Sequence, residues 1–237
     1  MLYFYIMKTF LEELNSFNSG PIYILDNEIP FQKYVPLDLS KENIELTTIN
    51  ITDYNLCQKY IDKVLYKKNG VIAYGGYLEE RNLYSDKEGF TSNHKSIRNI
   101  HLGIDYWCKA STKVIVPLNG EVHSFKNNAI VGDYGPTIIL KHVLNNYTFY
   151  TLYGHLSIDS LDGLFVSKKF KKGDTLGKLG TPEINVNYAP HLHFQIIQNL
   201  EHNQGDYPGV CAKEHLPFYK ENCPDPDILL KMTTLGN

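Results

Sequence analysis

The histidines of Ala189-Pro190-His191-Leu192-His193-Phe194-Gln195-Ile196-Ile197 are spaced to do metal chemistry. In a β-strand, residues two apart project from one face about 6.6 Å from each other. His191 and His193 would therefore present two imidazoles side by side, and two such rings can share an ion. Leu192, Phe194, Ile196 and Ile197 suit a strand with at least one buried face, a rigid support for the pair. A catalytic zinc takes three protein donors at about 2.0–2.2 Å and keeps a fourth position open. The missing donor types stand in His101-Leu102-Gly103-Ile104-Asp105. Fully extended, His101 and Asp105 would lie about 13 Å apart, too far to meet on one ion. The chain must bend between them, and Gly103 stands at the midpoint, where bending is easiest. A third segment, Tyr153-Gly154-His155-Leu156-Ser157, brings one more histidine.

In this order and at these intervals, the three segments resemble the lysostaphin/LytM-type zinc metallopeptidases. Val116-Pro117-Leu118-Asn119-Gly120-Glu121-Val122, Gly132-Asp133-Tyr134-Gly135-Pro136-Thr137-Ile138-Ile139, and Val166 through Gly180 with its Lys172-Gly173-Asp174 turn match as well. The resemblance spans about residues 98–200. It implies that His101, Asp105 and His193 bind one Zn²⁺ and that His155 and His191 are the catalytic pair. The implied activity is that of a zinc metalloendopeptidase, with peptidoglycan-derived or other small peptides as substrates. The flanking stretches, residues 75–84, 205–210 and 223–227, resemble a branch of the family sometimes fused to kinase-like and aminotransferase-like domains. That setting keeps two alternatives open: a zinc hydrolase of a non-peptidoglycan small-molecule amide, and a non-catalytic binding module of the same fold. Retention of all five metal and catalytic positions argues against the second.

The chemistry also stands on the residue types. A three-ligand zinc lowers the pKa of water toward 7 and polarises a carbonyl oxygen, which suits amide hydrolysis at neutral pH. No His-Glu-x-x-His supplies a glutamate base and no Gly-x-Ser-x-Gly supplies a serine nucleophile. His155 and His191, with side chains that titrate near neutrality, can accept or donate the proton instead. Which of them is the base stays open at this level. Asn99 and Tyr153 flank the motifs and are candidates for touching substrate. His94, His123, His142, His202 and His215 lie outside the motifs and read as packed or surface residues.

The elements that must hold these residues follow from pattern. A chain of 237 residues with 43% hydrophobic content can build one substantial core with an appendage. Residues 1–92 read as a mixed α/β region packing on the core. In it, Phe10, Leu11, Leu14 and Phe17 mark a helix over Lys8 to Phe17, and Leu56, Tyr60, Ile61, Val64 and Leu65 mark a second over Asp53 to Lys68. A glycine-broken strand follows at Val71 to Tyr77. Residues 93–237 read as the metallopeptidase-like domain, with a C-terminal extension from about residue 201. Strands are expected at Lys113 to Val116, Gly120 to Phe125, Thr137 to Val143 and Tyr147 to Tyr153, the last two flanking an Asn145-Asn146 turn. The fold class is mainly β, α+β overall, with an antiparallel sandwich or barrel-like core.

Composition excludes other classes. A net charge of −3, with no basic cluster larger than Lys168-Lys169 and Lys171-Lys172, leaves no footprint for nucleic acid. No apolar run approaches the roughly 18 residues of a membrane span. Met1-Leu2-Tyr3-Phe4-Tyr5-Ile6 lacks the basic and small-residue features of a secretory signal, so a cytoplasmic location is expected, with Met7 an alternative start. The four cysteines show no C-x-x-C spacing and read as reduced thiols, Cys211 with Cys223 being the one candidate bridge. The sequence does not specify an oligomeric state.

Overall fold

The computed structural model describes residues 10–83, 91–92, 96–130, 132–185 and 187–236. His94, Tyr84 and residues 1–6 lie outside the described residues. Among the described residues thirteen strands follow in chain order: β1 (Tyr34–Pro36), β2 (Ile72–Gly75), β3 (Thr91–Ser92), β4 (Ser96–His101), β5 (Ile104–Trp107), β6 (Lys113–Ile115), β7 (Gly120–Asn128), β8 (Gly135–Leu144), β9 (Tyr147–Gly154), β10 (Lys169–Phe170), β11 (Thr175–Lys178), β12 (His191–Ile197) and β13 (Val210–Ala212). Eight of them form one sheet in the order β1-β2-β5-β12-β9-β8-β7-β10. Only the β1–β2 pair in it is parallel. β6 pairs with β11, and β13-β4-β3 form a third, small sheet. The architecture is mainly β, as the strand spacing predicts.

Helix α1 occupies residues 10–16, its Phe10 and Leu14 buried in the main core. Helix α2 (Tyr54–Lys67) starts where an acidic cap is expected: the Asp53 carboxylate accepts from the backbone N–H groups of Asn55 and Leu56. It buries Cys57, Tyr60 and Ile61, beside Val35 and Ala73 of β1 and β2. Two short helices, α3 (Leu216–Asn222) and α4 (Asp227–Leu230), close the chain. Among the described residues no helix is long and apolar enough to cross a membrane.

Alternation on the central strands decides where chemistry can happen. On one face of the sheet, Leu192, Phe194 and Ile196 of β12 meet Ile104, Tyr106, Ile138, Leu140 and Tyr153 in the main core. Burying each such aliphatic or aromatic side chain contributes about 1.5–3 kcal/mol, enough to hold β12 firmly in register. On the other face lie His191, His193, Gln195 and Ile197, because side chains two apart share a face. His193 stands opposite Asp105 on β5 and Gly154 on β9. Tyr153, one residue from Gly154, therefore points into the core. It is fully buried, with its hydroxyl bonded to Thr151. His142 also lies on the core side, donating from Nδ1 to the Asn119 carbonyl and meeting Thr151 through Nε2, the packed role expected of it.

The Pro117–Gly120 turn carries the chain from one sheet to another, since β6 pairs with β11 while β7 pairs with β8 and β10. The β8–β9 hairpin turns at Asn145, whose φ of 52° lies in the left-handed region that asparagine tolerates.

Candidate metal centre

β4 ends at His101, and the chain crosses through Leu102 and Gly103 from the small sheet into β5 of the large one. That crossing folds His101 back onto Asp105, so His101 Nε2 and Asp105 Oδ1 are 3.2 Å apart. His193 joins them from the neighbouring strand, with Nδ1 3.1 Å from Asp105 Oδ1 and 2.9 Å from His101 Nε2. Gly103 is required by this approach more than by its backbone angle. A Cβ there would stand 2.6 Å from the Phe194 carbonyl oxygen and 2.8 Å from the His193 ring.

Each of the three donors has its other polar atom already engaged. His101 Nδ1 lies 2.9 Å from the Gly76 carbonyl, which can only accept, so Nδ1 carries the proton and Nε2 keeps its lone pair. Asp105 Oδ2 accepts from Arg81 Nη1 at 2.6 Å, leaving Oδ1 for the triangle. His193 Nε2 lies 3.0 Å from Gln195 Oε1. The Gln195 amide nitrogen donates to Pro208 O at 3.2 Å and Cys223 Sγ at 3.1 Å, which fixes its oxygen toward His193. His193 Nε2 therefore carries the proton and Nδ1 is the free donor. With neutral rings, two imidazole lone pairs and a carboxylate oxygen thus face one another. A cation lying among them would relieve the repulsion of those lone pairs. Donors about 2.0–2.1 Å from a tetrahedral zinc stand roughly 3.3–3.4 Å apart, within half an ångström of the triangle seen. The residues present fit zinc.

Charge and burial tune the cluster. Burial alone would raise the Asp105 carboxyl, but His101 and Arg81 beside it hold it well below the usual carboxylate range. Burial, reinforced by the Arg81 guanidinium, lowers His101 to about 4, so its ring is neutral at pH 7, the form that binds metal. Arg81 is wholly buried, bonded also to Glu79 Oε2 at 2.8 Å and lying 5.5 Å over the Trp107 ring.

His155 and His191 sit beside the triangle with ring centroids 4.1 Å apart. His191 is stacked on Trp107 at 5.7 Å and donates from Nδ1 to the Ala189 carbonyl at 2.7 Å, which leaves its Nε2 an acceptor. His155 has a φ of 62°, a strained setting for a non-glycine residue. It is held there by bonds from its N–H to Tyr134 O and from Gly180 N–H to its carbonyl. Tyr134 and Tyr188 meet its ring edge to face at 5.6 and 5.5 Å. His155 Nδ1 is buried without a hydrogen-bond partner. Burial, then the neighbouring His191 and His193, push His155 well below the usual histidine range, and burial lowers His191.

All five motif residues line one cavity of about 390 Å³, with Tyr134, Tyr188 and residues 206–210 among its walls. The two further candidates do not reach it. Tyr153 is on the core face for the register reason given above. The Asn99 amide instead donates to Glu80 Oε1 at 3.3 Å on the small sheet. Gln195, Arg81, Tyr134 and the Gly76 carbonyl are site groups that motif reading passes over. Of these, Gln195 carried a usable signal, as a polar residue two beyond His193 on an otherwise apolar strand.

Residues 99–205 match the family model described as peptidase family M23. That match covers 107 of the 237 residues. None of the curated proteins matches the chain. Among solved structures, the catalytic domain of the antimicrobial peptidase lysostaphin from Staphylococcus simulans is 23% identical over 52% of this chain and 80% of its own, with a TM-score of 0.36. Csd3 from Helicobacter pylori is 24% identical over 53% of this chain and 33% of its own, with a TM-score of 0.34. A zinc-containing peptidase from Vibrio cholerae is 20% identical over 45% of this chain and 29% of its own, with a TM-score of 0.35. The chain thus spans only about a third of the length of the latter two. The M23 stretch contains all five motif residues and Gln195, but Gly76, Arg81, Pro208 and Cys223 lie outside it.

Proposed function

We propose that this chain is a zinc-dependent metallopeptidase that holds one Zn²⁺ through His101 Nε2, Asp105 Oδ1 and His193 Nδ1 and uses His155 and His191 to move protons. The observation that carries this reading is the triangle of three lone-pair donors whose outward atoms are already bonded. A bound Zn²⁺ supplies Lewis acidity toward a carbonyl oxygen and toward water, the chemistry amide hydrolysis needs. The rest falls to the chain's own side chains. His191 is neutral at pH 7 and presents Nε2 as an acceptor, while its Nδ1–H to Ala189 fixes ring and tautomer. His155 is neutral too, and the proximity of the two rings disfavours charging both at once. The pair therefore handles a single proton, taken as the nucleophile forms and returned to the leaving amine.

Substrate size follows from the walls of the cleft. Residues 206–210 line one side of it, and Leu83 and Arg98 also take part. Glu79, Glu80 and Arg81 do not line it; Arg81 instead holds Asp105. We propose short soluble amides, peptidoglycan-derived peptides foremost, as substrates, met in the cytoplasm. Zinc-loaded protein should cleave short muropeptides at least about tenfold faster, per bond, than it solubilises intact sacculi, with products followed by mass spectrometry. Efficient solubilisation of sacculi with muropeptides left intact would overturn the substrate reading.

A further inference from the structure

We infer that Gln195, locked by Pro208 and Cys223 of the C-terminal segment, is a positioning residue that holds His193 in its metal-binding tautomer. The inference rests on the metal-site reading above. Gln195 is fully buried, like Cys223, so no solvent competes for the bonds between them. A glutamine amide is two-ended: nitrogen donates and oxygen accepts. Here the nitrogen end is used twice, to Pro208 O at 3.2 Å and Cys223 Sγ at 3.1 Å, and an amide turned over would set its oxygen against the Pro208 carbonyl, which can only accept. The oxygen end then meets His193 Nε2 at 3.0 Å and demands a proton there. The consequence is felt on the opposite side of the ring, where Nδ1 is left bare toward His101 and Asp105. Tyr134, whose hydroxyl is 3.4 Å from the same Nε2, is too distant to impose the tautomer alone.

Cys223 is itself fixed at both backbone atoms. Its N–H donates to the Tyr219 carbonyl at 2.7 Å, and its carbonyl accepts from the Tyr77 hydroxyl at 2.8 Å. Burial pushes its thiol up to about 12, so at neutral pH it meets the amide as an uncharged group. A run of contacts therefore leads from Tyr77, ahead of the M23 stretch, through Cys223, behind it, to a donor of the metal triangle. The segments outside the family match take part in shaping the centre, and the free thiol has a role that needs neither disulfide nor nucleophile.

The test uses the full chain and zinc alone. Gln195→Met keeps the volume and removes both ends of the amide. Competition against a chromophoric chelator should show zinc affinity 10- to 100-fold weaker than the parent, the usual effect of losing an outer partner of a ligand histidine. Long-range ¹H–¹⁵N spectra of the metal-free proteins should show His193 as the Nε2–H tautomer in the parent and a mixture of tautomers in the variant, a change that a loss of packing would not produce. Affinity within threefold of the parent, in a folded variant, would overturn the inference alone. Absence of zinc binding in the parent would remove the metal-site reading and this inference with it. The parent spectra decide the matter even where the variant does not fold, since a dominant Nδ1–H tautomer of His193 would contradict the lock.

Discussion

Replacing His193 with alanine should remove zinc and hydrolysis together. His193 Nδ1 is one of the three donors found among the described residues, and it stands 3.1 and 2.9 Å from the other two. Without it the remaining His101 and Asp105 form a two-donor site, whose affinity should fall by more than the 10- to 100-fold that an outer partner's loss produces. Elemental analysis after dialysis should find about one zinc per parent chain and about a tenth or less in His193→Ala. The metal-free fold should survive, since β12 keeps Leu192, Phe194 and Ile196 in the main core. Stoichiometric zinc retained by the variant would overturn the assignment of His193.

His155 and His191 are expected to give the opposite pattern. Their rings adjoin the triangle without belonging to it, so His155→Asn and His191→Ala should keep stoichiometric zinc while turnover falls about 10²-fold or more, the usual scale of a lost acid or base. Asparagine is the better replacement at 155 because the φ of 62° there penalises most side chains and asparagine tolerates it. Since the two rings handle one proton between them, the double variant should be little slower than the worse single one. Turnover and zinc content measured on the same preparations separate the cases: loss of zinc in either single variant would move that residue into the ligand set.

Much of this site was legible in the residues. His-x-His on an apolar strand predicts two imidazoles on one face, and β12 presents them so. His101 and Asp105 had to fold onto each other, and the crossing at Gly103 does this, although that glycine answers to the His193 ring and the Phe194 carbonyl as well as to the bend. The strands at 113–115, 120–128, 135–144 and 147–154 lie where alternation and turn residues place them, because each is fixed by local pattern. What pattern could not convey was registry between distant strands. Tyr153 adjoins a motif in sequence, yet Gly154, and not Tyr153, pairs beside His193, so the tyrosine faces the core. Arg81 belongs to no motif, and its segment reaches Asp105 because Gly75 of β2 pairs with Asp105 while Leu78 and Arg81 donate backbone N–H groups to His101 and Asn99 of β4. Cys223 and Pro208 are likewise tied to Gln195 by tertiary contact alone.

The central claim is that the three converging donors are a zinc site, and X-ray absorption at the zinc edge on the loaded chain tests it most directly. The account predicts a first shell of nitrogen and oxygen only, at about 2.0–2.1 Å, with the outer-shell scattering of two imidazoles and a fourth position filled from solvent. A sulfur donor at about 2.3 Å, or fewer than two imidazoles, would contradict it.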